Sequence, residues 1–426
     1  MRTRAETDTT DLLAGPGPAA APYRPLRVTL VDEELPYPPV SGKRIRTLNL
    51  TLRLARRHRL TYVCHRNADP AEARRAAEFF ADHGVATVVV DRAVPPKAGA
   101  AFYARLGLNL LSPLPYSVAS HDSRALRRAL RAHAARRQVD LWHCEWTPYA
   151  QALRAVDGPR VVIAHNVESV IWQRYYETEA NALRRWYVGR QWRKFLSFER
   201  RALAEADCTV AVSDVDAARF RRDFGARRID VVENGVDTAY FRPRQGWREP
   251  GRILFLGSLD WRPNLDGVEL LLDRVFPAVR AAEPTATLSL VGRNPSAALR
   301  RKVESTPGAE LHGNVADVRP FLAECGVMVV PLRIGGGSRL KILEALASGV
   351  PVVSTRVGAE GLHLEAGHHL TVVEDIDALA PALVEAVQSP EVVREQAEAG
   401  RGRVLERYDW DVLAERLEQV WLRQAA

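Results

Sequence analysis

The run PLRIGGGSRLKILEALASGVP, Pro331 to Pro351, decides how the rest of the chain is read, because it sets a strand, a glycine loop and a helix in succession. Val327–Leu332 is apolar enough to be a buried parallel strand. Gly335, Gly336 and Gly337 let backbone N–H groups come close to a ligand, and Ser338 is placed to cap the following helix. A diphosphate suits that helix start, where unpaired amides and the macrodipole both favour negative charge. Arg339 and Lys341 add positive side chains beside it. Glu344 lies further along, where an ionised carboxylate can accept both hydroxyls of a ribose. Together these read as a nucleotide-sugar pocket. The alternative is an ordinary Gly-rich connection in which Glu344 pairs with Lys341 at i−3 on a solvated face.

Working outward, short apolar runs alternate with helical patterns. Leu26–Val31, Leu60–Cys64, Ala86–Val90, Leu141–Cys144, Arg160–Ala164, Cys208–Val212 and Ile229–Val232 are candidate strands, separated by helical stretches such as Ile45–Arg57 and Ala71–Gly84. That order specifies a parallel sheet covered on both faces. The pattern restarts at Ile253–Leu256 and continues through Thr287–Val291, Leu311–His312, Val327–Val330, Val352–Ser354 and Leu370–Val373. The fold class is therefore α/β, with two Rossmann-like doubly wound domains. Pro243, Gly246 and Pro250 place the linker around Phe241–Pro250. Residues 1–24 lack periodicity and read as a disordered tail. Residues 25–242 form the first domain and 243–404 the second. Val404–Arg423 reads as one amphipathic helix.

At 426 residues the chain is long enough for two full cores, and 46% hydrophobic and 26% charged residues are ordinary for a globular protein. No apolar run is long enough to span a bilayer, and the N-terminal residues Glu6, Asp8 and Asp11 do not fit a signal peptide, so the cytoplasm is the expected location. Cys64, Cys144, Cys208 and Cys325 lack metal-ligand spacing and read as small buried hydrophobes. The net charge of +8 points to an acidic partner. Arginine concentrates in Arg124–Arg137, where Leu126 and Leu130 form an apolar seam, and in Arg184–Arg201, interleaved with Trp186, Tyr187, Trp192 and Phe195. Such helices suit peripheral contact with the inner membrane face, or equally a solvated face with a buried seam. Nucleic acid is excluded as a partner, since no reading element or RNA-binding signature is present. There is no Gly-x-Ser-x-Gly elbow, His-Glu-x-x-His pair or P-loop, no metal site, and no cofactor is implied.

Ligands of doubly wound sheets bind beyond the carboxyl ends of the strands, so the strand-end loops are where chemistry is sought. After the first strand, Gly42 allows close approach to a phosphate or sugar, and Lys43 and Arg44 are acceptor-site candidates. His143 and Glu145 alternate on a strand end and point the same way, which makes them further acceptor candidates. His165 ends another strand, with Glu168 nearby to orient it or simply to start the next helix. Ser213 follows a strand and suits a helix cap.

These segments resemble the retaining, GT-B-fold glycosyltransferases of family 4, the group 1 glycosyl transferases, from Leu26 to about Trp421. The likeness is densest from Ile253 to Leu362. Ile253–Leu259 with Gly257, then Trp261–Asn264, resembles the first strand and glycine turn of the donor domain; Leu288–Gly292 its next strand; Val352–Thr355 and Gly358–Leu362 the strand and loop closing the sugar site; Asn234–Asp237 with Phe241 and Pro243 the entry to the linker. The resemblance implies two domains facing a cleft, with the terminal helix, residues 405–426, returning to the first domain. It implies transfer of a glycosyl group from a nucleotide diphosphate sugar to a sugar, lipid-linked or small-molecule acceptor, with retention at the anomeric carbon. It places His165 at the donor sugar, and Gly257, Gly336, Gly337, Ser338, Glu344, Glu360, Gly361 and Leu362 around the donor. Two departures stand out. Gly336 occupies the place of the first Glu in the family's Glu-x7-Glu pattern, and Leu259–Asn264 does not supply the usual Arg and Lys, so Arg339 and Lys341 are expected to take over the diphosphate. A nucleotide-sugar epimerase, a phosphorylase or a non-catalytic sugar-nucleotide binding protein of the same fold remain alternatives; a nicotinamide oxidoreductase lacks its Gly-x-Gly-x-x-Gly after Leu26–Val31.

Overall fold

A computed structural model describes residues 24–92, 98–243, 249–333 and 339–426. The expected tail, the middle of the linker stretch, and Gly336, Gly337 and Ser338 of the glycine loop lie outside the described residues. Contacts divide the chain into two compact units, one of residues up to Glu233 together with Leu413–Ala426, the other Asn234–Val412. The division thus falls ahead of Phe241–Pro250.

The first unit is built on seven strands: β1 (Arg27–Asp32), β2 (Arg59–His65), β3 (Ala86–Val90), β4 (Leu141–Cys144), β5 (Arg160–Ala164), β6 (Cys208–Ala211) and β7 (Ile229–Val231). They lie in the order β3-β2-β1-β4-β5-β6-β7, and every pairing is parallel. Leu126 and Leu130 of helix Arg124–Arg136 are fully buried, so its seam is spent on the core. Phe195 and Phe198 of helix Ala182–Ala204 join the same cluster with Val31, Val63 and Trp142. Leu183 and Trp186 of that helix stay outside, 74% and 53% exposed.

The second unit repeats the plan with β8 (Glu249–Leu256), β9 (Thr287–Gly292), β10 (Ala309–Gly313), β11 (Cys325–Val330), β12 (Val352–Thr355) and β13 (Thr371–Val373), ordered β10-β9-β8-β11-β12-β13 and parallel throughout. Side chains alternate across the pleat. Ile253 and Phe255 pack with Val268, Val279 and Leu383 on one face. Leu254 and Leu256 pack with Ile342, Leu346 and Val404 on the other. Covering both faces in this way is what makes Ile253–Leu256 and Val327–Val330 unbroken apolar runs.

The terminal segment departs from the sequence reading. Val404–Arg423 is not one helix, because the chain breaks at Tyr408–Asp409 between helices Pro390–Arg407 and Trp410–Ala425. The break is held: the Val236 N–H donates to the Tyr408 carbonyl at 2.8 Å, and the Asp409 carboxylate accepts from the Asp411 N–H at 2.7 Å, starting the second helix. All four cysteines are buried and none forms a disulfide, as expected.

Candidate functional site

In each sheet the strand order reverses once, between β1 and β4 and between β8 and β11. Ligand crevices of doubly wound sheets open at such points, beyond the carboxyl ends of the strands. The candidate residues gather at both.

In the second unit, helix Leu340–Ala347 follows β11. The position before it is held by Arg339 in the left-handed region, φ 52°, with no side-chain cap, so Arg339 stands where Ser338 was expected. The Lys341 ammonium turns toward β8 and donates to Asn264 Oδ1 at 3.0 Å, over the ring of Phe255 at 4.7 Å. Asn264 in turn donates to the Ser258 carbonyl at 2.9 Å. Gly257 is required here for a reason the sequence does not state: a Cβ on it would lie 2.8 Å from both the Lys341 ammonium and the Asn264 amide. Burial, with the nearby Arg339 guanidinium, lowers the Lys341 pKa to about 7. Burial raises that of Glu344 to about 7 as well, with Lys341 opposing. The two are nevertheless not joined by an ion pair among the described residues, so the alternative of a Lys341–Glu344 surface pair fails. Arg339 reaches the loop after β12, where it donates to the Glu360 carbonyl at 3.4 Å and lies 3.6 Å from its carboxylate. Burial lowers the Arg339 pKa, and Glu360 opposes that shift. Gly361 has φ 82°, and Leu362 closes a turn on the Ala359 carbonyl at 3.3 Å. Loops from adjacent strands β8, β11 and β12 thus bring Gly257, Arg339, Lys341 and Glu360 together.

In the first unit, Gly42 opens helix Gly42–Ala55, which Ser41 caps by accepting from the Arg44 N–H at 3.3 Å. Lys43 and Arg44 are not idle cations. Lys43 donates to the buried Asp32 carboxylate at 2.5 Å, lies 3.7 Å from Glu33 and sits over Trp146. Burial pulls its pKa down, but Asp32 and Glu33 outweigh it and the net shift is upward. Arg44 is held between Glu34 and Glu72.

His143 and Glu145 do point the same way: His143 Nε2 donates to Glu145 Oε2 at 2.6 Å. The other oxygen, Oε1, accepts from Thr47 at 2.7 Å and faces His165 Nε2 at 3.5 Å. Burial works against the ionised Glu145, but the hydrogen bonds and charges of His143 and His165 hold its pKa well below the usual range. The group facing His165 is therefore Glu145, not Glu168, whose carboxylate accepts from Trp146 Nε1 at 2.9 Å while its N–H starts the next helix. That helix is capped at a distance by the buried Glu199, which accepts from the Glu168 and Ser169 N–H groups at 2.7 and 3.0 Å. Ser213 caps helix Asp214–Phe224 as its place suggested. Asp32, Thr47, Asn264 and Trp421 complete these clusters without having been singled out. Only Asn264 left a signal, inside the Trp261–Asn264 segment.

Among the described residues no group of three His, Cys, Asp or Glu side chains could hold a metal ion, and no helix is long and apolar enough to cross a membrane.

Two doubly wound units with clusters at their switch points make up the GT-B class of fold. Residues 250–389 match the family model described as glycosyl transferases group 1, and residues 40–240 that of Glycosyltransferase Family 4. The chain belongs to this family of glycosyltransferases. It is 29% identical over 315 residues to MMP alpha-(1->4)-mannosyltransferase of Mycolicibacterium hassiacum, covering 70% of this chain and 74% of that one. It is 34% identical over 224 residues to phosphatidyl-myo-inositol mannosyltransferase of Mycobacterium leprae, 50% of this chain and 58% of that one. Among solved structures, sucrose-phosphate synthase from Thermosynechococcus elongatus has the same fold with a TM-score of 0.68 at 21% identity, over 93% of this chain and 98% of that one. HepE of Anabaena, solved with UDP and glucose, gives a TM-score of 0.63 at 15% identity, over 93% and 100%.

Proposed function

We propose that this glycosyltransferase uses a nucleotide diphosphate sugar as donor, bound at the β8/β11 switch point, and transfers the sugar with retention of anomeric configuration. The observation that carries this reading is a pair of partly buried opposite charges, Lys341 and Glu344, on one helix without an ion pair between them. Such groups await a partner, since a buried charge is costly until it is paired. A diphosphate answers Lys341 and Arg339, and a ribose diol answers Glu344. As the nucleotide diphosphate departs, negative charge grows beside Arg339 and Lys341, and stabilising it there lowers the barrier. HepE, with its bound UDP, supports the donor class by analogy of fold. His165 contacts the transferred sugar, and Gly336 in place of the family's first Glu leaves ring recognition to other groups, among them the Glu360–Leu362 turn. Gly42 approaches the donor and Lys43 borders the acceptor side, whereas His143 and Glu145, 0% and 3% exposed, are too buried to touch an acceptor.

A thermal-shift screen of nucleotide diphosphate sugars tests the donor, because a ligand binding only the native state raises its melting temperature. A selective shift by one nucleotide sugar is expected. Shifts from none, with nicotinamide dinucleotides stabilising instead, would contradict it. The anomeric configuration of the product, read by proton NMR, then tests retention.

A further inference from the structure

We infer that Trp421, His143 and Glu145 act as positioning residues that fix the tautomer of His165, so that it meets its ligand as a hydrogen-bond acceptor through Nδ1. The inference rests on the reading that His165 faces a sugar hydroxyl, but the relay itself can be tested without any ligand.

The chain of bonds begins at the returning helix. Trp421 is fully buried, and its indole Nε1 donates to His143 Nδ1 at 3.0 Å. An indole N–H can only donate, so Nδ1 of His143 must carry a lone pair and the ring proton sits on Nε2. That Nε2–H points at Glu145 Oε2, 2.6 Å away, in a pocket where His143 is 0% and Glu145 3% exposed. Thr47 donates to Oε1, and the remaining approach to Oε1 belongs to His165 Nε2. This nitrogen is buried and makes no hydrogen bond, and the acceptor it faces is Glu145 Oε1 at 3.5 Å. A carboxylate offers only acceptor sites, so the favourable arrangement puts the His165 proton on Nε2 and leaves Nδ1 bare. No hydrogen bond engages Nδ1 among the described residues. A bare ring nitrogen accepts from a hydroxyl, the group a sugar offers in abundance.

The logic gives an unusual prediction for Glu145→Gln. Its carbonyl oxygen must face the His143 Nε2–H, because Trp421 forbids the other tautomer of His143. The amide NH2 then faces Thr47 and His165. His165 Nε2 is forced to accept, its proton moves to Nδ1, and the acceptor becomes a donor. Removing the indole N–H as well, in Glu145→Gln with Trp421→Phe, frees His143 to turn its tautomer over and lets the amide flip back.

The test is imidazole 15N NMR on the full-length chain without ligand, with UDP-glucose or GDP-mannose turnover, read as nucleoside diphosphate release, alongside. Expected are a protonated Nε2 and bare Nδ1 at His165 in the wild type, the reverse in Glu145→Gln with kcat/KM down about tenfold or more, and partial return of both in the double variant. A purely structural role for Glu145 would not give recovery on adding a second core substitution. A wild-type His165 protonated on Nδ1, or an unchanged His165 spectrum in a folded Glu145→Gln protein, overturns the relay. If Glu145→Gln melts too low to study, the wild-type spectrum alone still decides between the two tautomers. Should His165→Ala turn over normally, it is the placement of His165 at the sugar that fails, not the relay.

Discussion

Lys341 sets the properties of the donor pocket. Its ammonium is charged below about pH 7 and loses its proton above it, because burial and Arg339 disfavour the charged form. Bound phosphate would raise that pKa again, so the part of the affinity for pyrophosphate that depends on Lys341 is full below about 7 and falls as the pH rises through it. Titration calorimetry with pyrophosphate should show this fall in the wild type, a weaker and flatter profile in Lys341→Ala, and a loss of about tenfold at pH 6.5. Equal affinities in the two proteins would remove Lys341 from the site. Gly257→Ala makes a separate case. Its Cβ would crowd the ammonium and Asn264 at 2.8 Å, so weaker nucleotide-sugar binding is expected with a melting temperature close to wild type. A large drop in melting temperature with binding intact would contradict that reading. The pairing of Lys341 with Asn264 could not be read from the sequence, because the two are brought together only by the adjacency of β8 and β11.

At the scale of elements, helix Trp410–Ala425 carries the first unit's last side chains, and Trp421 is fully buried on it. Trp421→Ala should cost about 3–5 kcal/mol, the range for deleting a buried aromatic, measured by chemical denaturation; a loss well below 1 kcal/mol would mean the helix end is not held as described. Strands were the most legible elements. β4 and β5 fall where the apolar runs put them, since a strand buried on both faces has no polar alternation to blur its ends. The single helix expected over Val404–Arg423 was misread because Tyr408 and Asp409 carry no Gly or Pro; their break is imposed by the bond to Val236. Of the aromatic stretch in helix Ala182–Ala204, Phe195 proved to be core while Leu183 and Trp186 stand exposed beside Arg184 and Arg185. Apolar groups among arginines suit an anionic membrane surface. Vesicles containing anionic phospholipid should sediment the wild type at low salt and retain less of Leu183→Ser with Trp186→Ser; no retention of the wild type would confine that face to water.

For the whole molecule, the family could be read in the sequence because both halves keep the strand–loop–helix rhythm of a doubly wound sheet, and because the motif from Pro331 to Pro351 lies at a switch point. What could not be read was the division of labour inside each cluster. Glu168 lies nearer His165 in the sequence, yet Glu145 faces it, since β4 and β5 are neighbours in the sheet. Lys43 and Arg44 look like free cations in sequence but are committed to Asp32, Glu34 and Glu72. The two donor-side cations differ: Arg339 already leans on Glu360, whereas among the described residues Lys341 is held by a neutral amide and a ring, and is the freer to meet a phosphate. The most direct test is a crystal structure with the nucleotide diphosphate sugar selected by thermal shift. The account predicts a phosphate oxygen within about 3 Å of Lys341 Nζ, as charge-assisted hydrogen bonds require, and the ribose on Glu344. A donor whose phosphorus atoms lie away from the start of helix Leu340–Ala347 would contradict it.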